Sequence, residues 1–301
     1  MPVRERLSAI VITYKRPDDL NATLSNLQNQ DRPPDEIVVI DNDPKKSGHD
    51  AERVNDPEVR YFCPGENLGV SAGRNRAVAQ AEGDIVLFVD DDARFGTYSA
   101  LTASLHGFRD PQVACQAFLI RNGNTRDIVP KEYPGTSTAG WEEPHDVSYF
   151  LGGACAMRRK VFVDLGGYDE TYFYGVEELD LAYRMINAGH RLRYLPEILV
   201  NHYANTAGRE QVTRAYHLIR NRIYFAEKNL PLPYLLSHFA VWGAFAFGKA
   251  LTSGQVKEYF KGVFSLRDDG AFRRAREYRA AHPMTKETRA YLRTHDGRLW
   301  Y

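Results

Sequence analysis

The chain has 301 residues, 43% hydrophobic and 12% aromatic, with 39 basic and 39 acidic side chains and so no net charge. This is the composition of an ordinary globular protein able to bury a large core, as one big domain or two smaller ones. Its three cysteines, Cys63, Cys115 and Cys155, are widely spaced without a Cys-x-x-Cys pair, which argues against a disulfide framework or a structural zinc site and points to a reducing compartment.

The amino terminus enters a strand-like run without the long apolar stretch of a signal peptide, so a cytoplasmic location is expected. Leu7 to Thr13 reads as a first strand, Asp18 to Gln28 as a helix opening near Pro17, and Glu36 to Ile40 as a second strand ending in Asp41-Asn42-Asp43. Val59 to Phe62 reads as a third strand. The segment Asn67 to Arg76 forms a glycine-containing turn into a helix that ends near Ala81. Next comes the apolar run Ile85-Val86-Leu87-Phe88-Val89, a buried parallel strand, followed directly by Asp90-Asp91-Asp92. The βαβ rhythm predicts an α/β fold with a mainly parallel central sheet flanked by helices.

Polar residues collect at the carboxyl ends of these strands, where open α/β sheets bind ligands. Three adjacent carboxylates repel one another unless a cation lies among them. An all-oxygen set suits Mg²⁺ or Mn²⁺ held together with a substrate's phosphates, although a solvated acidic turn accounts for the triplet taken alone. Neither G-x-G-x-x-G nor a P-loop motif follows the first strand, where Thr13-Tyr14-Lys15-Arg16 stands instead. What remains is a site with carboxylates for a metal, Arg16 and Arg74 to meet phosphate or a base, and Asp41 to accept hydrogen bonds.

Further along, Trp141 lies in a Pro/Gly-bearing stretch from Pro130 to Pro144, a surface loop in which its ring either stacks on a sugar or anchors the loop on the core. Gly152 and Gly153 suit a close backbone approach to a ligand, or a bulge. After about residue 205 the pattern turns helical, with Val212, Ala215, Tyr216, Ile219, Ile223 and Ala226 at helical spacing. Residues 211–301 carry 16 basic against 7 acidic side chains, a net +9, and residues 1–210 carry −9. The apolar run from Phe239 to Phe247 is too short to span a bilayer. It suits shallow insertion at an anionic membrane surface, and equally a dimer interface or a buried helix.

Five segments together resemble family 2 glycosyltransferases, inverting enzymes with a GT-A fold. They are Ile10 to Arg16, Val38 to Asn42, Asn67-x-Gly69 with Gly73-Arg74-Asn75, Phe88 to Asp92, and a later group of Gly152 to Arg159, Phe162 to Asp169 and Tyr174 to Arg184, the last read as the family's E-D-x-D-L motif with Glu178 at its second place. The resemblance covers roughly residues 7–205. It implies that Thr13, Tyr14, Arg16, Asp41, Asn67 and Arg74 bind a nucleotide-sugar with Asp90 or Asp91 near the ribose. It further implies that Asp92 is the main metal ligand, with Asp90 and His202 as further ligands, and that Glu178 is the catalytic base. Trp141, Gly153 and Glu177 fall on the acceptor side. The implied cofactor is Mn²⁺ or Mg²⁺.

The expected division is a GT-A-like catalytic domain over residues 1–205, with a nucleotide-binding half at 1–95 and an acceptor-side half at 96–205, and a basic helical region over 206–301. The expected function is metal-dependent, inverting transfer of a sugar from a nucleoside diphosphate, UDP- or dTDP-linked by preference, to a hydroxyl acceptor, lipid-linked or not, in assembly of a surface polysaccharide, glycolipid or glycosylated metabolite. Peripheral contact with the inner face of the membrane and a homodimer remain open, and no nucleic acid is expected. The alternatives are a non-catalytic relative that binds nucleotide-sugar or carbohydrate, and a nucleotidyltransferase. The latter lacks here the Gly-rich, Arg-containing signature after the first strand.

Overall fold

A computed structural model describes residues 5–45, 58–135, 140–204, 214–297 and 299. In chain order its elements are β1 (Leu7–Thr13), α1 (Pro17–Gln28), β2 (Glu36–Asp41), β3 (Val59–Phe62), α2 (Gly69–Gln80), β4 (Ile85–Asp90), β5 (Ala93–Phe95), α3 (Ala100–Gly107) and β6 (Val113–Asn122). After a 3₁₀ turn at Pro130–Glu132 follow β7 (His145–Val147), β8 (Ala154–Arg158), α4 (Arg159–Asp164), α5 (Glu177–Asn187) and β9 (Arg191–His202). Five helices close the chain: α6 (Arg214–Asn229), α7 (Leu232–Thr252), α8 (Val256–Asp268), α9 (Ala271–Ala281) and α10 (Lys286–Thr294). Val212, where the expected helical stripe begins, lies outside the described residues.

The nine strands form one sheet in the order β3-β2-β1-β4-β8-β6-β9-β5, with β7 paired to β9. The first four are parallel, as the βαβ rhythm predicts, and Thr13 stands level with Asp41 and Ile12 with Asp90, so three strands end together. The second half is mixed. Strand β8 runs antiparallel to β4 and β6, while β6 and β9 are parallel. This geometry has a consequence for the site. An antiparallel β8 brings its lead-in, Gly152-Gly153, to the edge at which β4 stops, and β9 delivers its last residue, His202, to the same edge.

Alternate residues of the central strands enter opposite cores, as both-face burial requires. Ala9, Val11, Leu87 and Val89 pack on one face with α1, and Ile10, Val86 and Phe88 on the other. That second core also takes in Leu179, Tyr183 and Met185 of α5, Tyr224 and Phe225 of α6, and Leu230 just beyond α6. The carboxyl-terminal helices therefore continue the apolar core behind the α5 helix. A buried ionic knot adds to the junction: Lys228 lies 2.6 Å from Asp169 and 3.0 Å from Asp180, which also binds Arg184 at 2.8 Å, one helical turn on.

Candidate active site

The first strand ends at Thr13, whose hydroxyl donates to Asp91 Oδ2 at 2.8 Å. Tyr14 is half-buried, with the Lys15 ammonium 4.6 Å from its ring centre. Lys15 has φ of +57°, uncommon for a residue with a side chain, and this turn sends Arg16 back over the acidic triplet. The guanidinium reaches Asp91 Oδ1 at 2.8 Å and Asp92 Oδ2 at 2.5 Å. Burial pushes Asp91 up to about 7 against the pull of Arg16. Burial would raise Asp92 as well, but His202 and Arg16 hold it well below the usual carboxylate range.

His202 Nε2 lies 3.4 Å from Asp92 Oδ1, and its Nδ1 is hydrogen-bonded to Glu132 Oε2 at 2.9 Å. Burial disfavours the charged ring, but the two carboxylates outweigh it and raise His202 to about 10. Asp92 and His202, an oxygen and a nitrogen donor 3.4 Å apart, would suit a divalent ion by the chemistry of the pair. Glu132, which sequence reasoning missed, orients the imidazole from behind, as carboxylates do for histidine metal ligands. Among the described residues no three His, Cys, Asp or Glu side chains gather as a complete metal set.

Asp90 stands apart from that pair. Its carboxylate is 3.0 Å from Arg74 Nη2, and Arg74 Nη1 faces Glu177 Oε1 at 3.6 Å and Glu178 Oε1 at 3.9 Å. Arg74 is 5% exposed at its side chain, lies beneath Gly152 and holds three carboxylates around one charge. A Cβ on Gly152 would sit 2.1 Å from Arg74 Nη1, and one on Gly153 would sit 2.2 Å from Asp90 Oδ2. The two glycines thus permit close approach, here to the protein's own site side chains.

The Glu pair opens α5 after an unusual turn. Gly175 and Val176 both have positive φ, +82° and +80°. For a β-branched residue that is a true outlier of the kind held at functional sites, and no sequence signal marked it. Consecutive on the first turn of α5, the two glutamates point about 100° apart around the helix axis. Glu177 is buried, with Oε2 lacking a hydrogen-bond partner among the described residues, and burial with the adjacent Glu178 raises it to about 8. The Glu178 side chain is 16% exposed and accepts from the Gly152 N–H at 3.2 Å, and burial raises it too. Asp180, the third acid of the motif, is a structural partner of Arg184 and Lys228.

The remaining candidates support the site's walls. Asp41 is fully buried and accepts from the Asp43 N–H at 2.9 Å and from the Tyr61 hydroxyl. Asn67 Oδ1 accepts from the Gly69 N–H at 2.9 Å, and Asn42 donates to the Gly69 carbonyl at 3.0 Å, so both fix the start of the α2 helix that carries Arg74. Trp141 packs on the core, and its carbonyl accepts from the Tyr194 hydroxyl. That is the anchoring role.

A profile described as "Glycosyl transferase family 2" matches residues 8–166, and one described as "N-terminal domain of galactosyltransferase" matches 135–209. A relative in Mycobacterium tuberculosis, N-acetylglucosaminyl-diphospho-decaprenol L-rhamnosyltransferase, is 25% identical over 260 residues, covering 74% of this chain and 85% of the relative. GalNAc-T7 with UDP, GalNAc and Mn²⁺ superposes with a TM-score of 0.62 at 18% identity, over 94% of this chain and 59% of that one. The mannosyltransferase PcManGT from Pyrobaculum calidifontis, in complex with GDP-Man and Mn²⁺, gives 0.58 at 21%, over 99% of this chain and 86% of the other. With more than half of its length matched by the profile, and with its strand ends meeting where the motif residues stand, the chain belongs to glycosyl transferase family 2, with a GT-A fold.

Proposed function

We propose that this glycosyltransferase is metal-dependent and inverting, and that it moves a sugar from a nucleoside diphosphate to a hydroxyl acceptor. The observation that carries the reading is the placement of two unlike acidic groups at one sheet edge: the Asp92–His202 pair beside Arg16, and the partly exposed Glu178 beside Gly152. Asp92 and His202 would hold Mn²⁺ or Mg²⁺, which when bound neutralises charge on the leaving diphosphate. Arg16 supplies a fixed positive charge toward the same leaving group. Thr13, Asp41 and the α2 turn at Asn67 form the wall for the base and ribose.

Glu178 takes the proton from the acceptor hydroxyl as its oxygen forms a bond to the anomeric carbon and the bond from that carbon to the diphosphate oxygen breaks on the opposite face. Its raised proton affinity suits a base working near neutral pH. Glu177, deeper and raised to about 8, keeps its proton and positions Arg74. UDP- and dTDP-sugars are the favoured donors, with GDP compounds tested beside them. The name of the mycobacterial relative supports a lipid-linked acceptor.

The test is thermal unfolding with UDP, GDP and dTDP compounds, each with and without Mn²⁺. A ligand at a hundred times its Kd stabilises the native state by about 2.7 kcal/mol. One nucleotide is expected to raise the midpoint with Mn²⁺ and to lose most of that gain on chelation or in Asp92→Ala. No shift with any nucleotide overturns the reading and favours a non-catalytic relative.

A further inference from the structure

Of the ten large hydrophobic side chains exposed among the described residues, seven lie on α7 and α8. On α7 they are Leu232, Leu236, Val241, Phe245 and Leu251, of which Leu236 is 73% exposed, and on α8 they are Phe260 and Phe264. Exposed Ala240, Ala244 and Gly248 fill the gaps along α7. Residues 232–248 contain no Asp, Glu, Lys or Arg. The 21-residue α7 is about 30 Å long, and its outward face is apolar along nearly all of it. Soluble surfaces seldom expose apolar side chains so contiguously without a partner.

The two helices present this face together. Phe247 of α7 has its ring 6.2 Å from that of Phe260 and 5.3 Å from that of Tyr259, whose hydroxyl donates to the Gly243 carbonyl at 3.3 Å. Cations edge the face. Lys249 closes the α7 stripe with its ammonium 5.7 Å from the Phe245 ring, and Lys257, Lys261 and Arg267 alternate with Phe260 and Phe264 along the exposed side of α8. Beyond Arg267 the surface continues into a groove of about 610 Å³ that holds Phe272, Arg273 and Arg276 with a single acid, Glu277.

We infer that the α7–α8 hairpin docks this face on an anionic lipid bilayer surface, with the phenylalanines and leucines in the headgroup region and the lysines and arginines at the phosphates. Long cationic side chains adapt to that arrangement, stems in the apolar layer and heads in the polar one. No described helix is long and apolar enough to cross a membrane, so the contact is one of lying on the surface. Charge complementarity selects lipid over a second copy of the chain. A two-fold contact would bring Lys249, Lys257, Lys261 and Arg267 of both copies into one interface. Helix α7 has no acid to meet them, and of the two acids of α8, Glu258 and Asp268, the first already lies 3.8 Å from Lys261, against four cations on the two helices. The inference rests on no assignment of the catalytic residues.

Flotation of the full chain with phosphatidylcholine vesicles, with and without phosphatidylglycerol, tests it. Binding is expected to the anionic vesicles, to weaken with salt, and to be accompanied by quenching of tryptophan fluorescence, through Trp242 of α7, by lipids with brominated acyl chains. Phe260→Glu with Phe264→Glu is expected to weaken binding at least about tenfold. Lys249→Gln with Lys257→Gln is expected to weaken it about fivefold for each cation removed. The lysine pair keeps the test sound if the glutamate pair fails to fold. Both are expected to leave nucleotide-induced thermal shifts unchanged. Absence of vesicle binding by the wild-type chain, equal binding to neutral vesicles, or a change in sedimentation mass in the variants with vesicle binding intact overturns the proposal.

Discussion

Replacing Gly153 by Ala is the sharpest small perturbation that the site offers. The new methyl would stand 2.2 Å from Asp90 Oδ2 and 2.6 Å from its Cγ, so the carboxylate has to withdraw by roughly 1 Å to reach van der Waals separation. The Asp90 side chain is 42% exposed and can swing outward, at about 0.5–1.5 kcal/mol of rotamer strain. Its departure breaks the 3.0 Å contact with Arg74 and unbalances the charge that holds Glu177 and Glu178. A misplacement of that size lowers turnover about a hundredfold, or about 2.7 kcal/mol in the barrier, with little loss of fold. Gly152→Ala is the control. Its methyl meets Arg74 Nη1 at 2.1 Å, and that side chain, 5% exposed, has nowhere to go. Breaking this buried ion cluster is expected to destabilise the protein by about 3–5 kcal/mol. Urea unfolding and nucleoside diphosphate release, measured on both variants, decide the matter. Wild-type turnover in Gly153→Ala, or equal stability losses in the two, refutes the reasoning.

Three other outcomes follow from the same geometry. Lys228→Met leaves the half-buried Asp169 without its cation and is expected to lose about 3 kcal/mol in urea unfolding, because Asp180 keeps Arg184 while Asp169 keeps only neutral donors. Burial would raise Asp169, but Lys228 outweighs it and holds Asp169 down to about 2, so the stability it contributes is present above its unfolded value near 3.9 and lost as pH falls toward 2; acid titration of the wild type is expected to lose about 2 kcal/mol from this group, and Lys228→Met much less. Glu177→Gln mimics a carboxyl that is already protonated at pH 7, so transfer there is expected to stay close to wild type. Because Glu177 is raised to about 8 from an unfolded value near 4.3, the wild type loses stability relative to this variant as pH rises through that window, measurable by urea unfolding at pH 5 and pH 9.

The parallel half of the sheet was legible because its signal is local. Continuous apolar runs such as Ile85 to Val89 mark strands buried on both faces, and the residues behind them fall at one edge by topology alone. Thr13, Arg16, Asp92 and His202 meet there as the motifs suggested. The antiparallel insertion of β8 was not legible, because strand order depends on long-range pairing that periodicity does not encode. Glu132 and Tyr61 were missed for a similar reason: each reaches the site from a segment without a motif. The left-handed Val176 was invisible, since a valine gives no hint of positive φ. Arg74 showed a limit of a different kind. It was expected to meet phosphate or a base, and the structure places it 3.0 Å from Asp90 and facing Glu177 and Glu178.

The central claim is that Glu178 deprotonates the acceptor in a nucleotide-sugar transfer, and Glu178→Gln tests it most directly. With the donor identified by the thermal panel, in Mn²⁺ at pH 7, nucleoside diphosphate release in the presence of acceptor is expected to fall by about 10²–10⁴-fold while nucleotide affinity is unchanged. Turnover close to wild type in Glu178→Gln, with the nucleotide still bound, would contradict the account.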